Sequence, residues 1–197
     1  MTNTIEIPDI PARNITLSGE IDETAAENFI TALNTIDTYD ITMATATLAK
    51  INALGYDAAT YSAPPTKVTI NSPGGYVYDA LSLYDAIDGR EDLVCIATGK
   101  CMSAATFILL AFKPELRFAT KNTTFMIHSI TSMAYGKTAQ MVDDVNETKR
   151  LQKLTDAIYT SKSGITKELL NMIHREKKDL YLTAKEALKY GIVSKII

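Results

Sequence analysis

Tryptophan is absent and cysteine nearly so, with two cysteines in 197 residues and neither in a CxxC nor a zinc-ligand spacing. A disulfide- or metal-stapled scaffold is therefore not required, and a reducing, cytoplasmic setting is the expectation. Long apolar runs are missing too. The longest, Ala104 to Phe112, is interrupted by Thr106 and closed by Lys113-Pro114, well short of the roughly 20 residues that span a bilayer. The first residues, MTNTIEIPDIPARN, lack the basic-then-apolar order of a secretory signal. Neither sign of charge dominates: 20 basic and 23 acidic residues are interspersed for a net charge of -3. That leaves no basic stripe for nucleic acid and no polybasic membrane anchor. No P-loop or G-x-G-x-x-G spacing occurs, so no nucleotide, and no other cofactor or metal, is expected here.

What is present is 46% apolar residues in a chain long enough to bury a core unaided, so a single domain over 1–197 is expected. Ile15-Thr16-Leu17 reads as a strand ending at Ser18-Gly19. Thr24-Ala25-Ala26-Glu27 has capping-box spacing and opens a helix over about 23–37. Lys67 to Asn71 is a β-rich run that stops at Ser72-Pro73-Gly74-Gly75, and Val77 to Ile87 follows at helical spacing. The unit repeats: Leu93 to Ala97 is a buried strand, Gly99 breaks it, and Ser103 opens a helix to Phe112. Strands around 116–118 and 124–127 lead to His128. A long helix over 137–159, a short one capped by Thr166, and a helix boxed by Thr183 and Glu186 precede a final strand over 192–197. Strands alternating with helices imply an α/β fold with a largely parallel sheet. Residues 38–66 fit the alternation poorly, separating the first helix from the second strand; within them 41–56 could be helical, although its threonines are weak helix formers. They read as an inserted surface excursion.

In such a sheet ligands bind at the carboxyl ends of strands, and both "NSPGG" and "GKCMSA" lie at one. Gly74 and Gly75 let a backbone approach closely. Were Ser103 to attack a carbonyl, its own amide or that of Ala104, with that of Gly75, would face the oxyanion. A base is then required, and of the two histidines His128 ends a buried strand while His174 lies in the polar "HREKK". Each residue also has an ordinary explanation: Ser103 as a helix cap, His128 as a satisfied strand-end residue, Asp179 as a turn residue. Cys101 is a second, weaker nucleophile.

The segments "INSPGGYVYDALSLYDAI", "GKCMSAATFILLAF", "FMIHS" and "KKDLYLTAKEALKYGIVSKI" stand in the order found in the Clp proteolytic-subunit (ClpP) family, which the chain resembles over 15–36 and 67–197. The resemblance implies an α/β ClpP/crotonase-like fold of strand-turn-helix units with a protruding handle helix at 137–159. It implies a serine endopeptidase with Ser103 as nucleophile, His128 as base, Asp179 as acid, and Gly75 and Ala104 as oxyanion-hole amides. It further implies a homo-oligomer of stacked rings enclosing its active sites, acting on peptides or unfolded proteins, with an AAA+ unfoldase as a separate partner that would carry any use of ATP. Three departures stand against the family pattern. The stretch before Ile15 is short where the family has a longer section that gates the chamber and engages the ATPase; "MIHSITSMAYGK" replaces "MIHQP" and its glycines; Ala104-Ala105 replaces Met-Gly. "SAA" and "INSPGG" also resemble the Clp-like head-maturation proteases of phages, which leaves open an ATPase-independent enzyme, bacterial or phage-encoded. A non-catalytic structural subunit, in which the triad would be displaced, and a crotonase-like acyl-thioester enzyme are the remaining alternatives.

Overall fold

The computed structural model describes residues 11–55 and 61–197, so the reading of the first ten residues and of the 56–60 part of the excursion falls outside the described residues. Five parallel strands form the spine of the sheet in the order β1 (Asn14–Ile21), β2 (Thr66–Gly75), β3 (Leu93–Met102), β4 (Arg117–Ala119) and β7 (Lys195–Ile196). A further strand, β5 (Thr124–Ile127), pairs parallel with the far half of β3, and β6 (Leu180–Thr183) pairs antiparallel with β5. Helices α1 (Glu23–Ala53), α2 (Val77–Ile87) and α3 (Ala104–Leu109) follow the first three strands; α4 (Thr138–Lys162), α5 (Lys167–Glu176) and α6 (Ala184–Lys189) complete the chain. The core they share includes Ile21, Val68, Ile70, Leu83, Ile87, Ile108 and Phe125, all fully buried.

Three strand ends differ from the sequence reading for one reason. β1, β2 and β3 do not stop at Gly19, Ser72 and Gly99. They continue past these points, with register shifts between Ser18 and Glu20 and between Ile70 and Ser72. Gly19 and Gly99 have φ of 79° and 56°, a backbone that bends a strand while its pairing resumes beyond. The bend at Gly99 lets β3 pair with β4 over Cys95–Ala97 and with β5 over Lys100–Met102. The sheet thereby forks, and the fork delivers Ser103 beside β5.

The first helix does not end near 37: residues 38–53, part of the stretch read as an excursion that could be helical, continue α1 as one helix of 31 residues. Thr35, Thr38, Thr42 and Thr45 each donate a side-chain hydrogen bond of 2.8 Å to the carbonyl four residues back. Their hydroxyls are thus satisfied inside the helix that their propensity argues against. The cap is Asp22, which accepts from the Ala25 amide at 2.8 Å, rather than Thr24. The last strand is also shorter than expected, confined to Lys195–Ile196. By contrast the Thr183–Glu186 box and the Thr166 cap form as read. α4 buries Leu151, Thr155, Ile158 and Tyr159 in its second half, while Val142 and Val145 in its first half stand exposed.

Arg117 on β4 is the largest fully buried side chain among the described residues. No carboxylate there meets it. Its guanidinium donates at 2.8 Å to the carbonyls of Leu110, Phe112 and Lys162, tying the end of α3 and the end of α4 to the sheet, and burial pulls its pKa down. The planar fork spreads its donors over three separate nitrogens in fixed directions, whereas a lysine's three donors all radiate from one nitrogen. Replacing Arg117 by Met strands two buried carbonyls and one part-buried one. At about 1–3 kcal/mol for each unpaired group, stability should fall by on the order of 3 kcal/mol or more, read in urea as a lower midpoint with an unchanged m-value.

Candidate active site

Ser103 lies between β3 and α3 with φ 52° and ψ -124°. An L-residue seldom adopts this conformation, at a cost on the order of 1–3 kcal/mol, and the surroundings hold it there. The Ser103 amide donates to Met126 O at 2.8 Å. Thr106 Oγ1 lies 2.8 Å from Cys101 O and 3.2 Å from Met126 O. The Tyr159 hydroxyl donates to Ser103 O at 3.3 Å. The result is a sharp strand-to-helix elbow that projects the hydroxyl, as in the nucleophile elbow of unrelated hydrolases, although the G-x-S-x-G sequence is missing.

Ser103 caps nothing: its side chain makes no bond to the first turn of α3. Instead Ser103 Oγ and His128 Nε2 stand 2.7 Å apart, a full hydrogen bond. The Ser103 amide is spent on Met126, so of the two amides considered at the serine only that of Ala104 remains as an oxyanion donor. Cys101 points into the core. Its thiol contacts Ala105 O at 3.4 Å, and burial pushes its pKa far up, which leaves no thiolate for chemistry.

β5 and β6 bring the acid near. Their antiparallel register runs from Thr124 opposite Thr183 to Ile127 opposite Leu180, and extending it by one residue sets His128 opposite Asp179. Asp179 Oδ1 is 3.9 Å from His128 Nδ1, with the carboxylate half-exposed. This is ion-pair distance and about 1 Å too long for a hydrogen bond. Asp179 precedes a short strand, not the helix directly.

Gly74, Gly75, Ser103, Ala104 and His128 border one open cleft of about 560 Å3, whose apolar wall includes Phe107 and Met126. Gly74 has φ 100°, and a Cβ there would fall 2.7 Å from the Ser103 Cβ and 3.0 Å from the Ala104 nitrogen. The sequence's paired glycines are thus split in function: Gly74 makes room for the elbow, and Gly75 abuts Ile21 in the sheet. All five candidate residues therefore border the cleft or its histidine, and only the histidine–aspartate contact is loose.

Four residues escape the sequence reading. Tyr159 and Thr155, on the buried face of α4, line the cleft. His174 Nε2 lies 3.0 Å from Asp156 Oδ2, although the local sequence places His174 on a polar helix end. Helical spacing marks Tyr159 and Thr155 as inward-facing, but no local signal pairs residues that meet only when α4 and α5 pack.

The model of the Clp protease family matches residues 38–197, including the stretch from 38 to 66. The ATP-dependent Clp protease proteolytic subunit 2 of Pseudomonas aeruginosa is 31% identical over 140 residues, covering 71% of this chain and 69% of that protein. Among solved structures, a mutant of ClpP1 from Listeria monocytogenes superposes with a TM-score of 0.75 at 25% identity, covering 95% of this chain and 92% of the other.

Proposed function

The chain belongs to the Clp protease family and is a peptidase of it, and from that premise we propose that it cleaves peptide bonds as a serine endopeptidase through Ser103, His128 and Asp179. The observation that carries the proposal is the 2.7 Å contact between Ser103 Oγ and His128 Nε2 at a strained elbow over an open cleft. As Oγ attacks the scissile carbonyl, His128 takes its proton, and the oxygen becomes an anion facing the amides of Ala104 and Gly75. His128 then protonates the departing amine. Water repeats the sequence on the acyl-enzyme and releases the new carboxyl end. Asp179 orients the Nδ1–H of His128 and stabilises the imidazolium once its contact tightens, as loose contacts of unliganded sites do. A displaced triad, the mark of a non-catalytic subunit, is at odds with the hydrogen bond between serine and histidine.

The exposed first half of α4 and its Val142 and Val145 support assembly of several copies around enclosed sites. The relative from Pseudomonas is by its name ATP-dependent. Since this chain has no nucleotide loop, any such dependence here would reside in a separate unfoldase, and the substrate would be unfolded protein or peptide. A fluorophosphonate probe tests the assignment. Wild type should take up one label per chain, on the peptide containing Ser103, and Ser103→Ala should take up none; a wild-type chain that stays unlabelled, or a variant that still labels, overturns it.

A further inference from the structure

His128 stands one residue past the end of β5, where the pairing with β6 has finished. The sheet therefore does not hold it. The residues after it are held from the other side, by α4 and α5. Side chains alternate along the extended chain: His128 and Ile130 border the cleft, while Ser129 turns to α5, where its Oγ lies 2.8 Å from His174 Nδ1. His174 Nε2 lies 3.1 and 3.0 Å from the two oxygens of Asp156 on α4. The carboxylate accepts only, so it fixes the N–H of the neutral ring on Nε2 and leaves Nδ1 to accept the Ser129 hydroxyl proton. Asp156 Oδ1 also accepts from Gln152 Nε2 at 2.9 Å. Gln152 Oε1 in turn accepts the backbone N–H of Ile130 at 2.7 Å. The His174 and Asp156 side chains are 22% and 25% exposed, sheltered enough for these bonds to hold their geometry.

From this chain of contacts, and resting on the serine peptidase reading above, we infer that His174, Asp156, Gln152 and Ser129 form a positioning clamp that sets the reach of His128 to Ser103. Two links grip the backbone on the far side of the base: one through the Ser129 side chain, one through the Ile130 amide. Both converge on Asp156. The same helix supports the nucleophile through Tyr159, so one rigid element references both partners of the serine–histidine contact. Ser129, His174 and Asp156 look like a second serine triad by composition, but Ser129 faces α5 rather than the cleft and meets its histidine through Nδ1. Their part is to hold, not to react.

Loosening the clamp by a fraction of an ångström should slow proton transfer and leave the cleft able to bind, since a misplacement of about 1 Å can cost about 100-fold. The test is labelling of the full chain by an alkyl fluorophosphonate, resolved into the inactivation rate constant kinact, the half-saturating concentration KI and the final stoichiometry. Ser129→Ala removes one hydroxyl and opens no large cavity. It should lower kinact about 10-fold, keep KI within about twofold and still reach one label per chain. His174→Gln should do the same, and Ser129→Thr, which restores the hydroxyl, should bring kinact back to within about threefold of wild type. A kinact for Ser129→Ala within about twofold of wild type overturns the clamp, as does a Ser129→Thr variant as slow as Ser129→Ala, or a loss seen only in stoichiometry or thermal stability, which is what a merely structural role produces. These outcomes leave the peptidase assignment standing, because wild type still labels at Ser103; an unlabelled wild type removes both.

Discussion

Ser103→Ala is expected to reduce peptide hydrolysis by at least about 10,000-fold while leaving the fold and the melting temperature nearly unchanged. The size follows from the mechanism, because the acyl-enzyme cannot form without Oγ, and what persists is the contribution of the amides and the cleft to direct attack by water. The retained fold follows from the elbow. Ser103 is held through its backbone, by its own amide to Met126 O and by Tyr159 to its carbonyl, and Ala keeps both bonds. Alanine must still occupy φ 52°, but the serine already bears that cost. His128→Ala should cost a similar factor, and combining the two should add little, since nucleophile and base act as one unit. Hydrolysis of a casein or fluorogenic peptide substrate, normalised by circular dichroism and melting, is the measurement. A Ser103→Ala protein within about 100-fold of wild type would mean another nucleophile operates.

The second large effect is expected at Gly75, where Gly75→Ala should abolish activity and strip several kcal/mol of stability. A Cβ at this position would sit 2.1 Å from Ile21 O and 2.5 Å from Ile21 N, distances no side chain tolerates. Backbone cannot swing aside as a side-chain tip does. Ile21 is fully buried, pairs with Gly75 across β1 and β2, and accepts the Tyr76 amide at 2.8 Å. Alanine must therefore push the end of β1 away from β2, at on the order of 3 kcal/mol or more. The same shift carries the Gly75 amide away from the oxyanion position proposed for it, for a further loss of about 100- to 1,000-fold in kcat. Urea denaturation and peptidase assays on the residual folded protein separate the two. A Gly75→Ala enzyme of wild-type stability and activity would show that β1 and β2 do not approach as described.

How far the site is legible in the sequence varies residue by residue. Ser103 and His128 are legible because each follows a short apolar run at whose end a parallel sheet exposes its functional groups. Asp179 is legible only by resemblance. Its place opposite His128 comes from the antiparallel register of β5 and β6, strands separated in sequence by the whole of α4 and α5. The neighbours of His174 in "HREKK" suggest a solvated residue. In the structure it turns inward to Asp156 and Ser129, two residues whose proximity depends on how α4 packs on α5.

The amino-acid sequence by itself determined the alternation of strands and helices, the caps at Thr166 and Thr183, and the small residues around Ser103, because periodicity, capping and steric size act within a few residues of chain. Only the tertiary structure decided that the strands bend at Gly19 and Gly99 instead of stopping, that the threonine-rich stretch from 38 to 53 continues α1, and that Arg117 is satisfied by three carbonyls. It alone decided, too, that Ser103 Oγ is held at 2.7 Å from His128 Nε2. Each of these depends on a partner far away in sequence. A glycine ends a strand or bends it according to whether a neighbouring strand pairs beyond it, and a serine caps a helix or faces a histidine according to what the forked sheet places in front of it.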